Sequence, residues 1–246
     1  MAWIAWRAGT LTISGGLAAG TVGLSVLYGT GWNGGAVLAA FFVSSNLVSR
    51  VTPRRQPANA DPKTDRRDAW QVYANGGPAA LLAVLGSSDV VLRTWLLTAS
   101  LAAAAADTWA TSVGSGSRGP PRLLWLGRSV SPGTSGGVTV LGSVGALAGA
   151  ALVAGTGALV TGRASLLPAG TLIGFLGMAM DSLLGATLQG RFWCAACQQP
   201  SEWRVHRCGS RTEWKGRWAW VNNDVVNLLA TATAGALARA VWHWLD

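Results

Sequence analysis

Apolar stretches separated by polar connections account for most of the 246-residue chain. A helix needs about 20 predominantly apolar residues to cross a bilayer, and seven stretches approach or exceed that length. These stretches are 8–29, 34–49, 68–86, 90–113, 136–160, 166–190 and 221–244. The pattern predicts an all-α fold, a polytopic membrane helix bundle of about seven spans that forms a single transmembrane domain over residues 1–246.

The third stretch carries a feature that weakens a simple transmembrane helix. It contains Asn-Gly-Gly-Pro at 75–78, and proline removes a backbone donor and clashes with the preceding turn. We expect this stretch to be kinked, broken or re-entrant. Irregular backbone is tolerated at membrane depth only where protein buries it.

Composition and charge exclude an ordinary soluble domain and set an orientation. Half of the residues are hydrophobic and 12% are charged, about half the charged share of a soluble protein. With seven spans, 16 of the 19 basic residues fall on one side, and the positive-inside rule places that side and the N-terminus in the cytoplasm. Because the basic residues lie in loops between apolar stretches, nucleic acid is not the expected partner.

Two carboxylates interrupt the apolar stretches near their cytoplasmic ends. Asp107 lies in the fourth stretch, and Asp181 in the sixth continues a helical face of small residues. Ionisable groups are costly in a membrane and tend to mark function. The other polar residues near this end are Gln71, Asn75, Ser182, Gln189, Asn222, Asn223 and Asn227. The alternative is that they only tie helices together by hydrogen bonds.

The directions of the predicted helices favour a site for phosphate and a divalent cation. Stretches three, five and seven begin at the cytoplasmic end, and helix N-termini attract anions. The fifth begins with a glycine-rich turn, which comprises Gly133, Thr134, Ser135, Gly136 and Gly137. Lys63, Arg66 and Arg67 add positive charge before the third. Asp107 and Asp181 suit Mg²⁺, which binds through one or two carboxylates plus substrate phosphates, and phosphoryl transfer needs mainly such positioning and charge neutralisation.

The cytoplasmic loop 191–220 holds all three cysteines of the chain and one of its two histidines. Cys194 and Cys197 form a Cys-x-x-Cys pair, which His206 and Cys208 follow. Three cysteines and one histidine form a structural zinc set, and the cytoplasm disfavours a disulfide. We expect a zinc knuckle without a catalytic role. Free or redox-active thiols are the alternative.

Five polar stretches carry a family resemblance, at 67–76, 106–110, 133–138, 181–189 and 222–227. The most specific are Gly-Thr-Ser-Gly-Gly at 133–137 and Asp-Ser-Leu-Leu-Gly-Ala at 181–186. In this order they resemble an integral membrane family that contains animal transmembrane protein 19 and the plant and cyanobacterial phytyl-phosphate kinase of tocopherol synthesis. Val113 stands where that family carries Glu, and Ser135 where it carries Asn.

The resemblance implies a membrane kinase that transfers phosphate from a nucleoside triphosphate, with CTP favoured, to phytyl, farnesyl or geranylgeranyl phosphate. Asp107 and Asp181 would hold Mg²⁺, the basic residues and the glycine-rich turn would neutralise phosphates, and the amides would orient oxygens. A lipid-phosphate transporter or flippase, and a nucleotidyltransferase that forms a CDP-lipid, stay open as alternatives. The small-residue stripes also allow a homodimer.

Overall fold

The computed structural model describes residues 6–7, 9–52, 66–124, 126–206 and 208–245. Six helices occur in this part of the chain, and a short 3₁₀ turn, Trp242–Trp244, follows the last. They are α1 (Ile13–Val51), α2 (Ala69–Leu85), α3 (Val90–Gly114), α4 (Val140–Thr161), α5 (Leu166–Thr187) and α6 (Asn223–Val241). All except α2 are long and apolar enough to cross a membrane. The prediction of a polytopic helical membrane protein is confirmed.

Two small antiparallel sheets in the polar connections add to the helices. In the connection from α3 to α4, β1 (Arg122–Leu123) pairs with β2 (Gly137–Val138). In the connection from α5 to α6, β3 (Arg191–Cys194), β4 (Gln199–Ser201) and β5 (Glu213–Gly216) form a sheet in the order β4-β3-β5. The all-α prediction therefore holds for the bundle but missed these strands.

Helix α1 consists of two arms, 13–30 and 32–51, that fold back on each other at Gly31. Gly31 has φ 60° and ψ −150°, a conformation that glycine adopts at little cost. A Cβ atom on Gly35 would lie 2.9 Å from Leu27 Cδ2, whereas eight residues of straight helix span about 12 Å. The arms correspond to the first two predicted stretches, although the first arm begins at residue 13 and not at residue 8.

Helix α2 is continuous through Pro78, so the predicted break is wrong. Pro78 has no N–H for the Ala74 carbonyl, its usual partner in a helix. The Thr231 hydroxyl of α6 lies 3.1 Å from that carbonyl and 2.8 Å from the Asn227 carbonyl of its own helix. A hydroxyl of a neighbouring helix thus donates to the carbonyl that loses its usual partner at proline. Backbone polar groups in a membrane need such a partner.

Helix α3 lies at the centre of the bundle and contacts each of the other five helices. Its middle is Leu-Ala-Ala-Ala-Ala-Ala at 101–106, all buried. Such small side chains let the surrounding backbones approach closely, which is the main source of helix association in lipid. We call the end of the bundle where α2, α4 and α6 begin and α3 and α5 end the polar end. Ser49 and Ser112, 3.1 Å apart through their hydroxyls, lie there.

Replacing Thr231 with valine tests the repair of α2. We expect Thr231→Val to lower the free energy of unfolding by about 1 kcal/mol, because the Ala74 carbonyl loses its donor. The matched control is Thr233→Val, since Thr233 is half-buried and its hydroxyl bonds within its own helix, to the Leu229 carbonyl. The measurement is unfolding of the purified protein in detergent.

A Pro78→Ala background completes the comparison. Alanine at 78 restores the N–H that donates to the Ala74 carbonyl in a regular helix. Thr231→Val should therefore lower the free energy of unfolding less in that background. An equal loss in both backgrounds would show that Thr231 does not compensate for the proline.

Candidate functional site

The packing of α3 on α5 brings Asp107 and Asp181 to one level of the bundle. A Cβ atom on Gly177 would collide with Ala103 Cβ and lie 3.5 Å from Ala234 Cβ of α6. Asp107 and Asp181 each follow this contact by four residues, about one turn nearer the polar end. Both residues are half-buried. Asp107 and Asp181 therefore lie at the same level on two parallel helices that pack against each other.

The glycine-rich turn docks on the last turns of α5. The Ser135 hydroxyl donates to Gln189 Oε1 at 2.6 Å. Gly136 has φ 81°, and a Cβ atom there would lie 2.7 Å from the Ala186 nitrogen. Only glycine combines this conformation with this approach. The contact joins the predicted phosphate turn to the helix that carries Asp181.

The turn does not begin α4, contrary to the sequence prediction. Helix α4 begins at Val140, and the Thr139 hydroxyl accepts a hydrogen bond from the Gly142 N–H at 3.0 Å. Residues 137–138 form strand β2 with β1 instead. A threonine cap occupies the helix N-terminus, so the glycine-rich turn lies beside α5 and not at the start of α4.

Gln189 lies beyond the end of α5, where the prediction continued the helix to residue 190. It is 2% exposed, and its Oε1 accepts from Ser135. Within the described part of the chain, its Nε2 is buried without a hydrogen-bond partner. A buried donor of this kind is uncommon in folded proteins and is available to an acceptor on a ligand.

Several predicted binding residues support helix ends. Gln71 and Asp68 form a capping box at the start of α2, and Asn75 Nδ2 donates to the Gln71 carbonyl at 2.9 Å. Asn222 Oδ1 caps α6 by accepting from the Val225 N–H at 3.0 Å. The contacts of Asp68, Gln71 and Asn222 are ordinary capping interactions, whereas the Asn75 side chain bonds back to the preceding turn of its own helix. The caps fix the helix N-termini at the polar end.

The other predicted polar residues lie at the same end in different surroundings. Asn227 is 7% exposed and Asn223 is half-buried. The buried Ser182 hydroxyl lies 3.8 Å from Met178 Sδ of its own helix. Asn227 is therefore the amide of α6 that the bundle encloses.

The predicted basic residues lie where the chain enters α2. Arg67 pairs through its backbone, donating to the Thr10 carbonyl at 2.9 Å and accepting from the Thr12 N–H at 3.1 Å. Arg66 is exposed. Lys63 lies outside the described residues. Among these cations, the structure fixes the backbone of Arg67 at the polar end.

Sequence reasoning missed Arg217 as a specific contact of the site. Its Nη1 donates to the Gly185 carbonyl at 3.0 Å, in the last turn of α5. Partial burial, and then the nearby Arg191, lower its pKa. In the sequence Arg217 was one of many basic loop residues, and no motif marked it.

The four residues of the predicted zinc knuckle meet in one place. The donor atoms of Cys194, Cys197, His206 and Cys208 all lie within 4.8 Å of one another. The Cys194 and Cys208 sulfurs are 3.6 Å apart, too far for a disulfide. Tetrahedral Zn²⁺ with Zn–S bonds of about 2.3 Å separates its sulfurs by about 3.8 Å. This cluster could hold a metal such as zinc.

The thiols of the cluster differ in acidity. Hydrogen bonds, first from Ser210 and then from His206, lower the pKa of the Cys208 thiol to about 5. The hydrogen bond with Cys208 and partial desolvation raise the pKa of the Cys197 thiol to about 11. The Cys208 thiol is thus the more readily ionised of the two, and metal binding requires its ligand thiols to lose their protons.

Comparison with known proteins identifies relatives among membrane proteins. The family described as integral membrane protein DUF92 matches residues 1–235. An uncharacterized membrane protein of Methanocaldococcus jannaschii is 29% identical over 224 residues, covering 90% of this chain and 81% of that protein. Protein PGR of Arabidopsis thaliana is 30% identical over 224 residues, covering 79% and 77%. An uncharacterized membrane protein of Synechocystis sp. is 27% identical over 228 residues, covering 89% and 78%. No solved structure matches significantly.

Zinc content tests the Cys/His cluster. We expect the purified protein to hold about one zinc per chain and His206→Ala to lower that content, because three ligands bind less firmly than a closed set of four. His243→Ala is the matched control, since His243 is exposed in the final turn, away from the cluster. Elemental analysis by mass spectrometry gives the ratio. Equal zinc in both variants would contradict the assignment.

Proposed function

The chain belongs to the DUF92 family of integral membrane proteins, and we propose that it is a membrane isoprenyl phosphate kinase. It transfers a phosphate from a nucleoside triphosphate, with CTP favoured, to phytyl, farnesyl or geranylgeranyl phosphate. The product is the corresponding diphosphate. The family resemblance read from the sequence supplies the isoprenoid and the nucleotide, and the arrangement of the polar end supports the phosphoryl chemistry.

The observation that carries the proposal is that two half-buried carboxylates and the docked glycine-rich turn all lie at the polar end of the bundle. Asp107 and Asp181 lie at one level on parallel helices, and Ser135 and Gly136 contact the same α5 one turn further on. Carboxylates are costly inside a bundle unless a cation or donor offsets their charge. Asp107 and Asp181 would hold Mg²⁺, which supplies charge neutralisation on the nucleotide phosphates.

The remaining polar groups have separate proposed roles. Arg66 and Arg67, with Lys63 before them, attract the phosphates, and the turn at 133–137 lets backbone approach them. Gln189, Asn223 and Asn227 orient phosphate oxygens. Gln71 and Asn222 act by holding the helix N-termini, whose partial positive charge favours anions, and Asn75 stabilises the adjoining turn of α2. Ser182 lines the contact between the turn and α5.

The chemistry needs no dedicated general base. The acceptor is a phosphate monoester whose second pKa is about 6, so an oxygen is already ionised near neutral pH. That oxygen attacks the terminal phosphorus of the donor, and the bond to the bridging oxygen breaks to release a nucleoside diphosphate. The protein positions the acceptor phosphate and the terminal phosphate of the donor and neutralises their charge. The only two histidines of the chain, His206 and His243, lie outside the bundle interior.

The proposed orientation places the polar end in the cytoplasm, where nucleotides are available. The loops at that end carry most of the basic residues of the chain, as the positive-inside rule expects of cytoplasmic loops. The loop 191–220 with its zinc knuckle would cover this side. A homodimer is compatible with the exposed apolar faces of α1 and α4 but is not needed for the site.

A transporter or flippase is the second candidate, and the opposite half of the bundle argues against it. Transport needs a polar path through the membrane, yet the hydroxyls of Thr94 and Thr98 in α3 donate to carbonyls of their own helix at 2.8 and 2.6 Å. Both threonines are completely buried. A nucleotidyltransferase would use the same polar end and differs in its product.

Product analysis separates these functions. Purified protein is given farnesyl or phytyl phosphate with CTP or ATP and Mg²⁺, and products are identified by mass. A kinase yields the isoprenyl diphosphate and a nucleoside diphosphate, whereas a nucleotidyltransferase yields a CDP-lipid. Absence of diphosphate with every donor would overturn the proposal.

Removing either carboxylate tests the metal role. We expect Asp107→Asn and Asp181→Asn each to lower kcat about 100-fold or more, because an amide keeps the size but loses the charge that holds the cation. Asp89→Asn is the matched control, since Asp89 caps α3 at the opposite end of the bundle, and asparagine caps equally well. Full activity in Asp181→Asn would refute the metal role even in an active kinase.

A further inference from the structure

We propose that Arg217, assisted by Arg191, binds a phosphoryl group of a substrate where the glycine-rich turn meets the end of α5. This inference rests on the proposed function for the identity of the substrates, but the presence of an anion site follows from the local geometry. No sequence motif marks either arginine: Arg191 is the first residue of β3, and Arg217 directly follows β5.

Arg217 is held in an uncommon backbone conformation directly after β5. Its φ is 63°, and that of the preceding Gly216 is 120°. Positive φ is unfavourable for a long side chain and is often retained at functional positions. The Trp214 indole N–H donates to the Arg217 carbonyl at 3.1 Å, which fixes the turn. The chain therefore accepts local strain to place this guanidinium against α5.

The contact with α5 uses a carbonyl that the helix has released. The Gln189 N–H, which would bond the Gly185 carbonyl in a continued helix, bonds the Leu184 carbonyl at 3.3 Å instead. Arg217 Nη1 takes the freed Gly185 carbonyl at 3.0 Å. Helix capping alone would explain this bond. A guanidinium carries five N–H groups, however, so most of its donors stay available.

Three other groups of the proposed site meet at Gly185. A Cβ atom on Gly185 would lie 2.6 Å from Ser135 Oγ, 3.4 Å from the Gly136 nitrogen and 3.5 Å from Gln189 Oε1. Gln189 also carries the buried Nε2 that has no partner among the described residues. A guanidinium and an unpaired buried amide donor thus lie at one glycine, where Ser135 holds the amide in place by donating to its oxygen. Such a set of donors suits an oxygen-rich anion.

The charge balance at this position favours an anion over simple capping. Arg191 of β3 pairs with Gly216 of β5, the residue before Arg217. Burial, and then the charge of Arg191, lower the pKa of Arg217. Neither arginine forms an ion pair with a carboxylate in the part of the chain that the structure describes. Two cations without a counter-charge repel each other. A phosphoryl group between them would remove that repulsion, and arginine binds phosphate oxygens in a bidentate geometry.

The shared chemistry is a phosphoryl group, and two substrates could supply it. One source is the monophosphate of the isoprenoid acceptor, and the other is the polyphosphate of the nucleotide. Inorganic pyrophosphate carries the same oxygens without lipid or base, so it probes the site without turnover.

The test compares binding and kinetics in the full-length, zinc-loaded protein. We expect Arg217→Gln to weaken pyrophosphate binding about tenfold to a hundredfold, the loss of a charged hydrogen-bond pair. Lys215→Gln is the matched control, because Lys215 is an exposed cation of β5 paired with Glu213 at 2.7 Å. It should change binding less than about twofold. Calorimetry gives the affinities, and the KM values for farnesyl phosphate and nucleotide show which substrate uses Arg217.

A second variant guards against misfolding of Arg217→Gln. Arg191 is exposed, so Arg191→Gln should fold normally, weaken pyrophosphate binding severalfold and reduce its dependence on salt. Wild-type affinity in both arginine variants, or no pyrophosphate binding by the wild type, overturns the inference.

The two proposals can fail separately. If the protein is an active kinase and Arg217→Gln changes neither KM value nor pyrophosphate affinity, the anion site is refuted and the proposed function stands. Pyrophosphate binding that depends on Arg217, in a protein that forms no diphosphate, supports the anion site and refutes the kinase.

Discussion

Close approach of helices across small side chains is the constraint on which the structure depends. In lipid, apolar side chains gain little by leaving the solvent, so van der Waals contact between backbones must hold a bundle together. Gly149 of α4 packs on Trp109, and Gly174 and Gly177 of α5 pack on Ala102 and Ala103 of α3. The same contacts fix the register between helices. Asp107 and Asp181 lie at one level because these close contacts set the register of α5 against α3.

The positions of the helices along the chain could be predicted from the sequence, but their packing and their local continuity could not. Apolar length identified every helical stretch of the bundle, since that pattern is set by the thickness of the membrane. The Asn-Gly-Gly-Pro segment predicts a break because the rule for proline considers only the helix that contains it. The structure supplies Thr231 from a helix about 150 residues away in the chain, and no local rule contains such a partner.

The sequence likewise predicts some parts of the candidate site and not others. Cysteine spacing anticipated the cluster in loop 191–220, because metal ligands are few and chemically distinctive. Amides near helix starts were less informative, since Gln71 and Asn222 serve as caps and a cap and a ligand contact use the same residue types. Arg217 was invisible to sequence reasoning, because its significance comes from a turn, a freed carbonyl and a neighbouring strand. A residue whose role depends on the folded geometry has no characteristic spacing in the sequence.

The sheet of loop 191–220 has a consequence for how the protein matures. Strand β3 ends at Cys194, and its neighbour β5 leads directly into Arg217, so one small sheet joins the metal cluster to the end of α5. The helices can assemble from their own apolar contacts, whereas a metal ion in the Cys/His cluster would stabilise the fold of a loop with few buried side chains. With zinc as that metal, assembly would have two stages with different requirements, a membrane for the bundle and a metal supply for the loop at its polar end. A cell short of zinc would accumulate inserted, folded and incomplete protein.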